Sequence, residues 1–286
     1  MKMQKIIQIT DPHLCPPGEK VLGLDPAKRL QAVVRSINEN HSDAAVCVVT
    51  GDLTDDGDDR AYRLLKSCLT DFQVPYRLLL GNHDARAAFL EVFPDAETDD
   101  NGFVQSTLHV GETFCILLDT LDEARPGSGF LCEQRLSWLD EQLAASAGRQ
   151  VVVFMHHPPL SIGLRWFDDM LLENGAEVMD RLVRHPNVAH IVFGHVHVNT
   201  SGVWRGVSYS ASRGTCHKIL TEPAAEQADY VDQGPAYDIL LLGEEEVCVH
   251  SVDPAGPNEL IAREYPTIDG RGSFELVSSA GAQRWM

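Results

Sequence analysis

Apolar positions follow two rhythms along the chain, and together they predict a layered α/β protein. Residues 5–10 (KIIQIT) form a short apolar run and are predicted as a strand. Asp25-Pro26 then supplies a helix cap with proline in the first turn. Leu30, Val33, Val34 and Ile37 follow at helical spacing. The nearly all-apolar run 44–50 reads as a strand buried on both faces. A helix over 59–69 and a strand over 76–80 complete a β-α-β-α-β rhythm, which implies right-handed crossovers and a largely parallel sheet. The second half has the same style without sequence repetition. It predicts strands at 113–120, 151–155 and 189–193, with helices at 132–146 and 176–184. Leu136, Leu139 and Leu143 lie on one stripe of the first of these helices. Later runs at 206–211, 237–242 and 246–252 have shorter connections and suggest antiparallel strands that complete a second sheet. The expected architecture is a β-sandwich flanked by helices. The non-periodic stretch 159–175, with Trp166 and Phe167, is a candidate lid, cap or pocket wall. Residues 1–252 read as one domain. Residues 253–286, rich in Gly, Pro and Ser, read as a tail and a candidate contact between copies.

Composition narrows this picture. The 286 residues are 44% hydrophobic, which allows a large core without covalent staples. The formal charge of −19 disfavours nucleic acid polymers and anionic membranes, both of which need lysine and arginine. An anionic substrate would therefore need local attraction, from cations held in its site. The seven cysteines are scattered and contain no CxxC pair, as expected of buried hydrophobes in a reducing compartment. The N-terminus lacks a secretory pattern and no apolar run reaches membrane-spanning length, so the expected location is cytoplasmic.

Candidate chemistry sits where strand-like runs end. Asp11 and His13 lie in ITDPHL, Asp52 in VVTGDL, Asn82 in LLLGNHD, His156 in VFMHHPP, and His195 and His197 in VFGHVH. Hard oxygen and borderline nitrogen donors of this kind suit Fe, Mn, Zn or Co. Seven donors are too many for one tetrahedral ion and suit two ions sharing a carboxylate. Ligands in open α/β sheets bind beyond the carboxyl ends of strands, so these clusters can converge. Alternation along an extended segment would put Asp11 and His13 on one face, and likewise His195 and His197, though that second pair can divide between ions. Gly51, Gly81 and Gly194 precede ligand positions and permit close backbone approach. Arg205 and Arg213 are candidate phosphate clamps, while His41, His109, His185, His190 and His250 fall outside the motifs.

The ordered set D-x-H, G-D, G-N-H-D, H-H-P-P and G-H-x-H resembles the calcineurin-like metallophosphoesterase superfamily over residues 5–200. Its spacing is most similar to bacterial class III cyclic nucleotide phosphodiesterases and the related glycerophosphodiesterases. The resemblance implies a four-layer α-β-β-α sandwich of two mixed sheets, with a catalytic domain over 1–252. It assigns Asp11, His13 and His197 to one divalent metal and Asn82, His156 and His195 to the other, with Asp52 bridging. His83 would contact the phosphate or protonate the leaving oxygen, with Asp84 orienting it. His157 and His217 are further candidates for contact with substrate or for support behind the ligands. The implied activity is two-metal hydrolysis of small phosphodiesters by in-line attack of a metal-bridging hydroxide, cyclic AMP foremost. A glycerophosphodiesterase or broad-specificity phosphodiesterase is the alternative; a phosphomonoesterase, a lipid pyrophosphohydrolase or a metal-free scaffold ranks below. The implied metals are Fe/Mn or Zn, with Co as a further option, and the implied assembly is a homo-oligomer of two or more copies.

Overall fold

The apolar runs at 44–50 and 151–155 are unbroken because both faces of the strands they form are covered. The computed structural model describes residues 3–146, 148–244 and 246–254, and two strands beyond them. Five strands form the first sheet: β1 (Gln4–Ile9), β2 (Val46–Thr50), β3 (Tyr76–Leu79), β12 (Tyr237–Leu242) and β13 (Val247–Val252). Their order is β13-β12-β1-β2-β3. The second sheet is built from β4 (Ser106–Val110), β5 (Thr113–Leu117), β6 (Val151–Phe154), β7 (Val188–Phe193), β8 (Thr200–Trp204) and β9 (Val207–Ala211). It runs β4-β5-β6-β7-β9-β8. Both are mixed, because β1, β2 and β3 are parallel while β12 is antiparallel to β1, and β5, β6, β7 and β9 are parallel between antiparallel edges.

Side-chain alternation divides each central strand between two cores. Ile7, Ile9, Cys47 and Val49 face helices α1 (Pro26–His41), α2 (Asp59–Cys68) and α3 (Arg86–Val92). Ile6, Val46, Val48, Val152 and Phe154 meet between the sheets. Val151 and Val153 face α4 (Glu133–Ala145) and α5 (Gly175–Leu182). The result is the α-β-β-α sandwich. Each such aliphatic or aromatic side chain contributes roughly 1.5–3 kcal/mol through burial. Helix α1 begins as expected: the Asp25 carboxylate accepts from Lys28 N at 3.1 Å, Pro26 follows, and Leu30, Val33, Val34 and Ile37 are buried.

Two expectations need correction. Strand β9 pairs antiparallel with β8 in the second sheet, as expected, but its other neighbour, β7, is parallel to it. Strands β12 and β13 are antiparallel but join the first sheet, because β12 pairs along the open side of β1. Helix α3 and edge strands β4 and β8 also carry weak sequence signals. Ala85 caps α3 without a side-chain hydrogen bond, and β8 is a half-exposed strand with Gly202 at its centre.

Residues Met1–Pro254 form one compact unit and Ala255–Met286 another. In the latter, β14 (Ala262–Tyr265) pairs antiparallel with β15 (Ser273–Leu276). The expected oligomer contact in the tail lies largely outside the described residues. No helix among those described is long and apolar enough to cross a membrane. The cysteines that the structure describes are free.

One buried carboxylate gives a pH prediction. Asp238 on β12 is buried, its Oδ1 has no hydrogen-bond partner, and burial raises its pKa to about 6. The folded protein thus holds this proton more tightly than the unfolded chain does. The stabilisation is complete below the ordinary carboxyl value of 3.8 and disappears as pH rises through about 6. Asp238→Asn is therefore expected to raise stability at pH 8 by up to about 3 kcal/mol and leave it unchanged near pH 4. Urea melts at the two pH values check this; an equal change at both would contradict it.

Candidate metal centre

The parallel strands of both sheets end at one rim, and the donor residues occupy the loops just beyond. Asp11, His13, Asp52 and Asn82 come from the first sheet; His156, His195 and His197 come from the second. Backbone bonds interlock these loops. Asp11 N donates to Gly51 O, His13 N to Asp52 O, and Thr215 N to Thr10 O across the two sheets. The pairs in DPH and GHVH do not converge by strand alternation, as the sequence suggested. Asp11, His13, Asp52, His195 and His197 all have positive φ, between 45° and 72°. This left-handed backbone turns each side chain inward. It costs roughly 1–3 kcal/mol per residue and persists only where surrounding contacts over-determine it.

The donors gather in two groups. Asp11, His13, Asp52 and His197 place ligand atoms within 4.8 Å of one another, and His156, His157 and His195 form a second such set. His13 Nε2 is 3.2 Å from His197 Nε2 and 3.6 Å from Asp52 Oδ2. His156 Nε2 is 3.3 Å from Asp52 Oδ1 and 3.2 Å from Asn82 Oδ1. The two oxygens of Asp52 therefore face different groups, and His195 and His197 divide between them.

Three of the four donor rings are oriented from behind. His13 Nδ1 donates to Asp55 Oδ1 at 3.1 Å, His156 Nδ1 to Thr50 O at 2.7 Å, and His197 Nδ1 to His217 O at 3.1 Å. These bonds leave Nε2 directed at the neighbouring donors, the arrangement metal-ligating histidines use. His195 Nε2 is buried with no hydrogen-bond partner. An orphaned nitrogen among converging oxygen and nitrogen donors fits a cation.

Protonation supports the same fit. Burial opposes charge on His156, but Asp52 outweighs it and raises the ring to about 9. Burial likewise opposes charge on His13, which the Asp55 hydrogen bond and the Asp52 and Asp11 carboxylates raise. Burial lowers His195 and His197 to about 3, so both are neutral donors. Burial would raise Asp52, yet His156 and His13 hold it well below the usual carboxylate range. Asp52 is thus the carboxylate on which both His13 and His156 converge, and a cation there would compete with protons for the same nitrogens.

Gly81 shows how tightly this floor is built. A Cβ there would lie 2.2 Å from Asp52 Oδ1 and 2.6 Å from His156 Nε2. Gly81→Ala is expected to reduce metal content and lower turnover by about 10²-fold or more, the loss that a ~1 Å misplacement brings. Metal analysis beside circular dichroism checks it; full metal content and activity would refute the geometry.

Other expected residues fall into distinct places. His83 is exposed, lines the cleft above the donors, and its Nδ1 donates to Asp55 O at 2.8 Å. Asp84 does not orient its ring. Its carboxylate instead accepts from Gly81 N, Leu53 N, Thr54 N and Tyr62 Oη at 2.9–3.1 Å, fixing the loops that carry Asp52 and Asn82. His157 is wholly buried and bonded to Thr120 Oγ1 at 2.8 Å, behind the cleft and not at a substrate surface. His217 lines the cleft, with its ring stacked on His197 at 4.0 Å. Arg213 is tied to Gly234 and Pro235 carbonyls, and Arg205 pairs with Asp180, so neither clamps phosphate. Phe167 packs in the core and Trp166 stands on the cleft wall, which makes 159–175 partly a pocket wall. Asp55, missed in the sequence, supports His13 by its carboxylate and His83 by its carbonyl. Its signal was the third position after Asp52 in GDLTD. Lys20, Leu22 and Tyr230 also line the cleft, and no local pattern marks them.

Comparison with known proteins agrees with this geometry. The model for calcineurin-like phosphoesterases matches residues 4–199. A probable cyclic nucleotide phosphodiesterase of Rhodopseudomonas palustris is 41% identical over 224 residues, which span 78% of this chain and 82% of the relative. The 3′,5′-cyclic adenosine monophosphate phosphodiesterase CpdA of Escherichia coli K12 is 32% identical over 213 residues, 74% of this chain and 76% of the relative. A probable glycerophosphodiester phosphodiesterase GpdQ of Arcobacter nitrofigilis is 27% identical over 247 residues, 84% and 89% respectively. With the matched region spanning every strand-end donor loop, the chain belongs to the calcineurin-like phosphoesterase family.

Proposed function

We propose that this protein is a two-metal hydrolase of small phosphodiesters, with 3′,5′-cyclic nucleotides, cyclic AMP above all, as its substrates. The observation that carries the reading is the placement of two donor groups, joined through Asp52, on the floor of an open cleft of about 340 Å³. Asp11, His13 and His197 would hold one cation and Asn82, His156 and His195 the other, with Asp52 between them. The mixed nitrogen and oxygen donors suit Fe/Mn or Zn, and Co as well. When bound, such cations supply Lewis acidity and a nucleophilic water at neutral pH.

The chain's own groups do the rest. His83 donates Nδ1–H to the Asp55 carbonyl, so its Nε2, in the doubly protonated ring, would donate a proton to the departing alkoxide or a hydrogen bond to a phosphate oxygen. His217 flanks the reacting group, and its carbonyl holds the His197 ring in place. Lys20 is the only lysine or arginine among the described residues that line the cleft. In a chain of charge −19, attraction of an anionic ester thus falls to Lys20 and the bound cations.

A glycerophosphodiester is the second reading, supported by the GpdQ relative's match along 84% of the chain. The test is a metal-reconstituted hydrolysis panel with chelated controls. It contains cyclic AMP, glycerophosphoethanolamine, bis(p-nitrophenyl) phosphate and p-nitrophenyl phosphate. Metal-dependent diester turnover well above the monoester is expected, with cyclic AMP preferred. Preference for the monoester, or no turnover with two metals bound, overturns the reading. Assembly as a homo-oligomer of two or more copies is part of the proposal, and light scattering decides it.

A further inference from the structure

Exposed apolar side chains are unevenly placed on this protein. The large ones among the described residues are Leu22, Trp166, Val203, Leu220 and Tyr230. Three of them, Leu22 (61% exposed), Trp166 (38%) and Tyr230 (50%), line the cleft above the donor floor. Water-facing rings around a charged floor keep their apolar surface uncovered at a cost, which a ligand with a flat apolar body removes.

Their supports tie both aromatic side chains to the donor floor. Tyr230 pairs with Ile219 in the hairpin of β10 (Lys218–Ile219) and β11 (Tyr230–Val231). Ile219 N in turn donates to His197 O at 3.0 Å. The Tyr230 ring is 5.1 Å from the His217 ring, which stacks on His197. Tyr230 therefore stands over the His197 side of the floor. Trp166 lies in the 3-10 turn Arg165–Phe167, next to Phe167, whose ring meets His195 at 6.3 Å. Phe167 is 3% exposed and anchors the turn in the core. Arg165 N donates to Pro223 O, and its guanidinium pairs with Glu226 at 3.0 Å, both in the connection between β10 and β11. Trp166 thus stands over the His195 side, on a support linked to the one that carries Tyr230.

We propose that Trp166 and Tyr230 form an aromatic collar that holds the base of a nucleotide ester while the donor floor holds its phosphate. The proposal rests on the diesterase reading and deepens it by naming the residues that select the substrate. A purine offers a π face to each ring, whereas a glycerol ester offers only hydroxyls and gains nothing from stacking. The cleft volume of about 340 Å³ also falls within the range of small-molecule sites, roughly 300–1,000 Å³.

The test compares wild type with Trp166→Ala, Trp166→Phe and Tyr230→Ala, as full-length metal-loaded protein. Binding of AMP and of ribose 5-phosphate is measured by calorimetry, and KM and kcat are measured for cyclic AMP and glycerophosphoethanolamine. Each alanine variant is expected to weaken AMP by about 10-fold or more, the range of one lost stacking partner, and to leave ribose 5-phosphate within about twofold. KM for cyclic AMP rises by a similar factor with kcat little changed, the glycerol ester is unaffected, and Trp166→Phe recovers most of the loss. Equal weakening of AMP and ribose 5-phosphate, or no change in either, overturns the collar. Trp166 is exposed, so its replacement leaves the core intact, and circular dichroism verifies this. Two outcomes separate the claims. Base-dependent AMP binding without diester turnover would sink the diesterase reading and keep the collar. Cyclic AMP turnover that ignores both alanine variants would do the reverse.

Discussion

Asp52→Ala is expected to leave the protein with at most one metal equivalent and to lower diester turnover by on the order of 10³-fold or more, at least the loss that follows removal of a preorganised electrostatic contributor. Three observations lead to this size of effect. The Asp52 carboxylate is fully buried and lies 3.6 Å from His13 Nε2 and 3.3 Å from His156 Nε2, one oxygen towards each group. It also accepts from His83 N at 2.9 Å, so the turn that presents His83 depends on it. Its left-handed backbone, at φ 47°, is tolerable because the interlocked loops hold it. Alanine removes the negative charge that both donor groups share and leaves His13 and His156 without their nearest shared counter-charge. Metal analysis by mass spectrometry, paired with rates on bis(p-nitrophenyl) phosphate, reads both consequences. Two bound equivalents with full activity would remove Asp52 from the centre.

His83→Ala should behave in the opposite way with respect to metal. His83 is not among the seven donors; its ring is exposed over the cleft, and only Nδ1 is engaged, by the Asp55 carbonyl. Metal content is therefore expected to stay at two equivalents. Turnover of an ester with a poor alkoxide leaving group should fall by about 10²–10⁴-fold, the usual contribution of a positioned general acid. An activated p-nitrophenyl ester needs no proton on departure and should lose far less. A loss of equal size on both esters would exclude proton donation and leave His83 as a phosphate contact.

The first donor group illustrates what a sequence can and cannot reveal. Asp11, His13, Asp52 and His197 are legible because each ends an apolar run, and strand ends in parallel sheets converge. The route by which their side chains meet was not legible. Strand alternation would have served equally well, and only backbone angles distinguish the two. Asp84 makes the same point about roles. Its place after His83 suggested a partner for that ring, but a buried carboxylate seeks the nearest unsatisfied donors, and those were backbone amides of its own loop and of the Asp52 loop. What the sequence left open for β9 and β12 was the neighbour each would take, β7 and β1, which depended on the edge open to it. That depends on the whole sheet and not on their own residues. Tyr230 reaches the cleft from a two-residue strand and Lys20 from a loop, neither long enough to show periodicity, so nothing local marked them.

Floor and collar are built from different kinds of chain. The floor is locked into strand ends by cross-sheet backbone bonds, and a Cβ added at Gly51, Gly81 or Gly194 meets atoms of the donor residues at 3.0 Å or less. Leu22, Trp166 and Tyr230 stand on a loop, a 3-10 turn and a short two-stranded hairpin at the margin of that lock. Descendants of one ancestral gene can therefore diverge in what they recognise while inheriting the chemistry unchanged. Relatives named for cyclic nucleotides and for glycerophosphodiesters, matched by a single chain, are what such uneven freedom to vary would leave behind.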